Sequence, residues 1–121
     1  MATYMLILRD DPKHWAKFTP AQMQKVLEKY MAWGMQMRES GSWLAGNKLK
    51  DEGGKIVRKD ANAKGLKVVD GPFAESKDVI GGYYLLKADS YAHCVELLKD
   101  HPHLEQGFPI DIREVDPMPG D

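Results

Sequence analysis

Alternation of apolar and polar residues marks six short extended stretches, and apolar spacings of three and four mark two helices. Residues 3–9, TYMLILR, form a β-rich run that stops at the turn-like Asp10-Asp11-Pro12, which predicts a first strand. Thr19-Pro20-Ala21-Gln22 is a helix start: Thr19 suits the cap, Pro20 the first turn, and Gln22 can reach back to the cap amide. Met23, Val26, Leu27, Tyr30, Gly34 and Met37 then share one helical face and Gly41 closes it, so a helix is expected over 20–40. Stretches 42–49 and 55–60 flank Lys50-Asp51-Glu52-Gly53-Gly54, whose glycines accept positive φ, and are expected to pair as a hairpin. Further β-rich runs occupy 66–69 and 79–87, divided by the Asp70-Gly71-Pro72 turn. Ser90 suits the cap of a second helix in which Tyr91, Cys94, Val95 and Leu98 share a face, and Pro102 ends it near His101. The alternation over 110–115 gives a last strand before a tail rich in proline and glycine.

The order β-α-β-β-(β)-β-α-β predicts an α+β fold, a ferredoxin-like split βαβ antiparallel sheet with two helices on one face. The other face also needs a cover. Strand one offers Tyr4, Leu6 and Leu8 to one side and Met5 and Ile7 to the other; the 79–87 strand offers Tyr84 and Leu86 against Tyr83 and Leu85. A sheet wet on one face alternates apolar with polar, so doubly apolar strands imply burial on both sides. Three or four bare side chains would each forgo roughly 1.5–3 kcal/mol of burial. A homodimer packed sheet to sheet, a dimeric α+β barrel, is therefore expected.

Composition narrows the function classes. At 121 residues and 43% apolar content, the chain fits one domain over 1–121. Its formal charge of -1 comes from interspersed signs, so no basic field exists to hold nucleic acid or an anionic membrane. One cysteine, Cys94, makes no internal disulfide and falls on an apolar helical face; with no signal-like apolar start, a cytoplasmic location is expected. No phosphate-binding loop, Cys-His nucleophile pair or G-x-S-x-G elbow occurs.

The densest local chemistry lies in residues 69–84, VDGPFAESKDVIGGYY. Asp70 can accept from nearby amides and Pro72 fixes φ, which makes a turn. Glu75, Lys77 and Asp78 add alternating charge, and Gly81-Gly82 weaken a strand start unless another group must come close. A cleft beside this turn is one reading and a solvated turn the other. The string VVDGPFAESKDVIGGYYLLKADS resembles the YCII-related family, specifically its DGPF-motif branch, from MLILR near the start to IDIREVDP near the end. That resemblance implies a ferredoxin-like chain assembled as a dimeric α+β barrel. It also implies a histidine early in the first long helix acting with a nearby acid; this sequence has Gln22 there, with Glu39 the nearest acidic counterpart. Glutamine does not titrate, so the dyad is not carried over.

Two function classes follow. One is a small-molecule enzyme without a tightly bound cofactor, with Asp70 and Glu75 as catalytic candidates and Phe73, Lys77, Gly82, Tyr83 and Tyr30 binding a small organic substrate. The other is a non-catalytic module binding a metabolite or a protein on the same scaffold. His101-Pro102-His103 is open to two readings as well: an H-x-H metal pair with Glu105 or Asp111, or a helix C-terminus whose imidazolium complements the dipole, the reading preferred here. No metal is expected. Trp15, Trp33 and Trp43 are read as core, His14 and His93 as facing water, and Arg38 and Arg113 are left unassigned.

Overall fold

The computed structural model describes residues 1–62, 64–71 and 79–118. Strand β1 (Ala2–Asp10) leads through a short helix α1 (Pro12–Ala16) to the long helix α2 (Pro20–Glu39), followed by β2 (Trp43–Lys48), β3 (Lys55–Lys59) and β4 (Leu66–Asp70). Strand β5 (Val79–Ala88), helices α3 (Tyr91–Leu97) and α4 (Pro102–Glu105), and β6 (Ile110–Glu114) complete the order. The main sheet runs β2-β5-β1-β6, with all three neighbouring pairs antiparallel. This is the interleaved strand order of a ferredoxin-like α+β fold.

Helix α2 begins as its sequence dictates. Thr19 Oγ1 accepts from the Gln22 amide at 3.1 Å, and Gln22 Oε1 accepts from the Thr19 amide at 2.9 Å, closing a reciprocal cap. Gln22 thus serves the helix start. One face of the sheet packs on α2 and α3 through Tyr4, Leu6, Leu86 and Ala88 against Trp33, Met37, Cys94 and Leu98. Burying side chains such as Leu6 and Leu86 stabilises the fold by about 1.5–3 kcal/mol each. Met5, Ile7, Tyr83 and Leu85, of the opposite face, are half-buried. Among the described residues no helix is long and apolar enough to cross a membrane.

Four expectations are corrected. Strands β2 and β3 do not form a hairpin: β2 joins β5, and β3 pairs only with β4 in a separate two-stranded sheet. Strand β5 is apolar on both faces, so it gains most by lying between β2 and β1, whereas β3 is exposed throughout. The second helix stops at Leu97, and Pro102 starts α4 instead of merely blocking α3. Tyr91 and Val95 are exposed while Cys94 and Leu98 are buried, so the buried face of α3 is narrower than the spacing suggested. His14 is not turned to water: its ring packs edge-on to Trp15 and Phe108, and Nε2 lies 2.9 Å from Gln106 Oε1.

The residue after β4, Gly71, sits where only glycine fits. Its amide donates to the Gly54 carbonyl at 2.9 Å, and a Cβ there would come within 1.9 Å of the Gly53 carbonyl oxygen. No side chain fits between these backbones.

Candidate functional site

Between α2 and the β2–β5 side of the sheet lies an open cavity of about 360 Å³. The helix brings Met23, Leu27, Tyr30, Gly34 and Arg38 to its wall, residues spaced by three or four so that they stack along one face. The sheet contributes Leu8 and Asp10 from β1, Gly46 from β2, and Gly81, Gly82 and Tyr84 from β5. Trp15 of α1 and His103 of α4 also reach it. Volume and mostly apolar lining suit a small organic ligand.

Among the described residues, the acid that lines this cavity is Asp10. Period two along β1 puts Tyr4, Leu6 and Leu8 on the helix side, each buried, and carries Asp10 to the same side at the strand's end. Trp15 Nε1 donates to Asp10 Oδ2 at 3.1 Å. Burial pushes the carboxyl above its ordinary value, against opposing pulls from the Trp15 hydrogen bond and from His103. The β1–β5 register slips between Leu8 and Arg9, leaving Gly81 as the extra residue. A Cβ on Gly81 would stand 2.4 Å from Asp10 Oδ2, so glycine is required for the carboxylate to lie against β5. Gly81→Ala is expected to displace the carboxylate and break the Trp15 bond, seen as an upfield move of the Trp15 indole proton in NMR. The thermal midpoint should change by only a few degrees, because the group that yields is the end of a side chain.

Behind the cavity wall lies a histidine–tyrosine network. His101 and His103 are fully buried. His101 Nδ1 accepts the His103 amide at 3.0 Å, capping α4, and its Nε2 lies 3.0 Å from Tyr84 Oη. His103 Nε2 lies 2.7 Å from the Arg9 carbonyl oxygen and Nδ1 lies 2.8 Å from Tyr30 Oη. All four ring nitrogens are therefore engaged within the protein. Burial lowers His101 to about 3 and lowers His103 as well, so both are neutral at pH 7. The preferred reading of an imidazolium complementing the dipole at a helix C-terminus is corrected: these rings are neutral, and they cap α4 and brace the core. Burial raises both phenols, Tyr30 and Tyr84, well above the ordinary tyrosine value, keeping them protonated. Among the described residues no three His, Cys, Asp or Glu side chains converge to hold a metal ion.

Of the residues singled out from sequence, Tyr30, Gly82 and Tyr83 line the cavity. Tyr83 Oη accepts from Asn47 Nδ2 at 3.1 Å. Asp70 is placed elsewhere: it ends β4, exposed and ion-paired with Lys55, and is not among the cavity-lining residues of this chain. Phe73, Glu75 and Lys77 lie outside the described residues. Sequence reasoning missed Asp10, read only as a turn former, although its place in the period-two row of β1 was a usable signal. Trp15 and Trp43, read as core, are half-buried at the cavity, where Arg38 stacks 4.5 Å over the Trp43 ring.

A family model described as the YCII-related domain matches residues 2–118. A comparison with curated proteins returns no match. Among solved structures the chain is similar to a 5-chloro-2-hydroxyhydroquinone dehydrochlorinase from Burkholderia phenoliruptrix AC1100, in complex with 2,5-dihydroxybenzoquinone. The identity is 14%, the alignment covers 93% of each chain, and the TM-score is 0.48.

Proposed function

This chain belongs to the YCII-related domain family, and from that premise we propose that it is a small-molecule enzyme whose cavity beside α2 moves a proton to or from its substrate. Asp10 is the acid or base. The observation that carries this reading is a carboxyl group in a mostly apolar cavity, oriented by Trp15 and held above its usual value by burial. General acid–base catalysis needs a group that is positioned and whose affinity for the proton is brought toward ambient pH. Asp70, exposed and paired with Lys55, is not among the residues that line the cavity. The aliphatic and aromatic wall selects a compact, largely apolar substrate, and the phenols Tyr30 and Tyr84 with the Asp10 carboxyl supply its polar anchor.

A ligand screen by thermal shift, followed by product detection on the hits, tests this. Turnover of a hit that Asp10→Asn abolishes supports the enzyme; tight binding without turnover, unchanged in Asp10→Asn, supports the non-catalytic binding module instead. Asp70→Asn serves as the control, since an exposed ion pair contributes about 0–1 kcal/mol to stability.

We also assign the chain to the DGPF-motif branch, on Asp70-Gly71-Pro72-Phe73 and its continuation, and we propose that a second copy covers the half-buried sheet face of Met5, Ile7, Tyr83 and Leu85. Sedimentation at micromolar concentration is expected to give twice the 13.7 kDa chain mass. A persistent monomer would reject the dimer.

A further inference from the structure

The buried network fixes more than the positions of the two tyrosines; it fixes where their protons point. A neutral imidazole offers one N–H and one lone pair. His101 Nδ1 faces the backbone amide of His103, which only donates, so Nδ1 carries the lone pair and Nε2 the proton. That proton is given to Tyr84 Oη at 3.0 Å. The phenol's own hydrogen then has no protein acceptor among the described residues, and Tyr84 lines the cavity. At His103 the order reverses. Its Nε2 faces the Arg9 carbonyl oxygen, which only accepts, so Nε2 holds the proton and Nδ1 accepts from the Tyr30 hydroxyl at 2.8 Å. Tyr30 therefore keeps only lone pairs for the cavity it also lines.

We infer that the two phenols face the ligand in opposite senses, Tyr84 as hydrogen-bond donor and Tyr30 as acceptor, so the substrate presents a carbonyl or oxyanion oxygen to Tyr84 and a hydroxyl to Tyr30. This rests on the cavity being the binding site, as proposed above, and adds the substrate class: an oxygenated, otherwise apolar compound carrying both groups. It also gives Tyr84 a catalytic part. When Asp10 takes a proton from the carbon next to the substrate carbonyl, the C–H electron pair moves into the carbonyl to give an enolate, and the Tyr84 hydroxyl stabilises the charge that develops on its oxygen. Delivery of that proton from Asp10 to a different carbon or to the oxygen of the enolate gives an isomer of the substrate and restores the carboxylate, with no oxidant or reductant. His101 is a positioning residue, since it sets the sense of the Tyr84 hydroxyl without reaching the substrate.

Acetophenone and ethylbenzene, which differ chiefly in a carbonyl group, separate the possibilities by NMR titration of the whole chain. Acetophenone is expected to bind about fivefold more tightly, the worth of one net hydrogen bond. Tyr84→Phe should abolish that preference, while Tyr30→Phe and Asp10→Asn should keep it. Equal binding of the two probes to the unmodified protein, or a preference that survives Tyr84→Phe, overturns the inference and leaves the cavity reading standing; failure of both to bind overturns both. Nitrogen chemical shifts of His101 and His103 give an answer independent of how any variant folds. Both are expected as the neutral form protonated at Nε2, and a Nδ1-protonated His101 would overturn the assignment.

Discussion

Replacing Asp10 with asparagine is expected to lower turnover by about 10²–10⁴-fold, the usual worth of a positioned acid or base, in a protein that still folds. The substitution is close to isosteric, and the amide oxygen retains an acceptor for Trp15 Nε1, now 3.1 Å from Asp10 Oδ2. What disappears is the titratable proton. Because the native carboxyl is raised above its unfolded value, its ionised form is destabilising at neutral pH, and the asparagine variant should melt at the same temperature or a few degrees higher. A lower rate combined with an unchanged or raised melting point separates chemistry from collapse of the fold. Initial rates on a substrate from the ligand screen, paired with thermal melts, provide both readings. A folded variant with undiminished turnover would remove Asp10 from the mechanism.

Acid is expected to unfold this protein earlier than its carboxylates alone would require. His101 has its folded value depressed to about 3, against an ordinary 6.5, because burial penalises the imidazolium. Below pH 6.5 the unfolded chain takes up a proton that the folded chain refuses. The contribution to stability is therefore complete above pH 6.5 and is lost as pH falls toward 3. Between pH 7 and pH 4.5 this one group removes about 3 kcal/mol, a large share of a typical stability of about 5–15 kcal/mol. His103 acts in the same direction, its value also lowered by burial. Asp10 acts the other way: its folded value is raised, so acidification returns the stability that its buried charge costs. Urea unfolding at a series of pH values reads the slope. His101→Asn, which keeps an acceptor for the His103 amide but cannot titrate, should flatten it; an equally steep slope in that variant would show that the imidazole is not the cause.

Much of the architecture was written in local pattern. The reciprocal cap at Thr19 and Gln22, the 20-residue helix it opens, and the alternating rows of β1 and β5 all follow from neighbouring residues, and all appear in the structure. Pairing was less legible. Lys50 to Gly54 look like a hairpin turn, yet β2 bonds to β5 some forty residues on, because pairing is decided by which edges can bury apolar faces, not by the turn between neighbours. The site shows the same division. Tyr30 was identifiable from its helical face, and Gly81-Gly82 from the weakness they bring to a strand. The Asp70 turn drew attention because it concentrates chemical groups, but concentration along a chain does not bring burial, and Asp70 ends up exposed beside Lys55. His101 and His103 carried the opposite lesson: a proline between two histidines reads as a polar helix end, and only packing against Tyr30, Trp33 and Tyr84 makes them neutral core residues.

By itself the sequence determined the six strands, the long helix α2 and the apolar rows of β1 and β5, because backbone preference and side-chain period act over a few neighbours; the short helices α1 and α4 were not read from it. Tertiary structure alone decided that a carboxylate from β1, a tryptophan from α1, a tyrosine from α2 and two histidines around α4 meet beside one cavity. Those residues lie up to 93 positions apart between Asp10 and His103. Their charges and proton positions were set by what surrounds them, since the cost of a charge depends on the dielectric and partners that the completed fold provides.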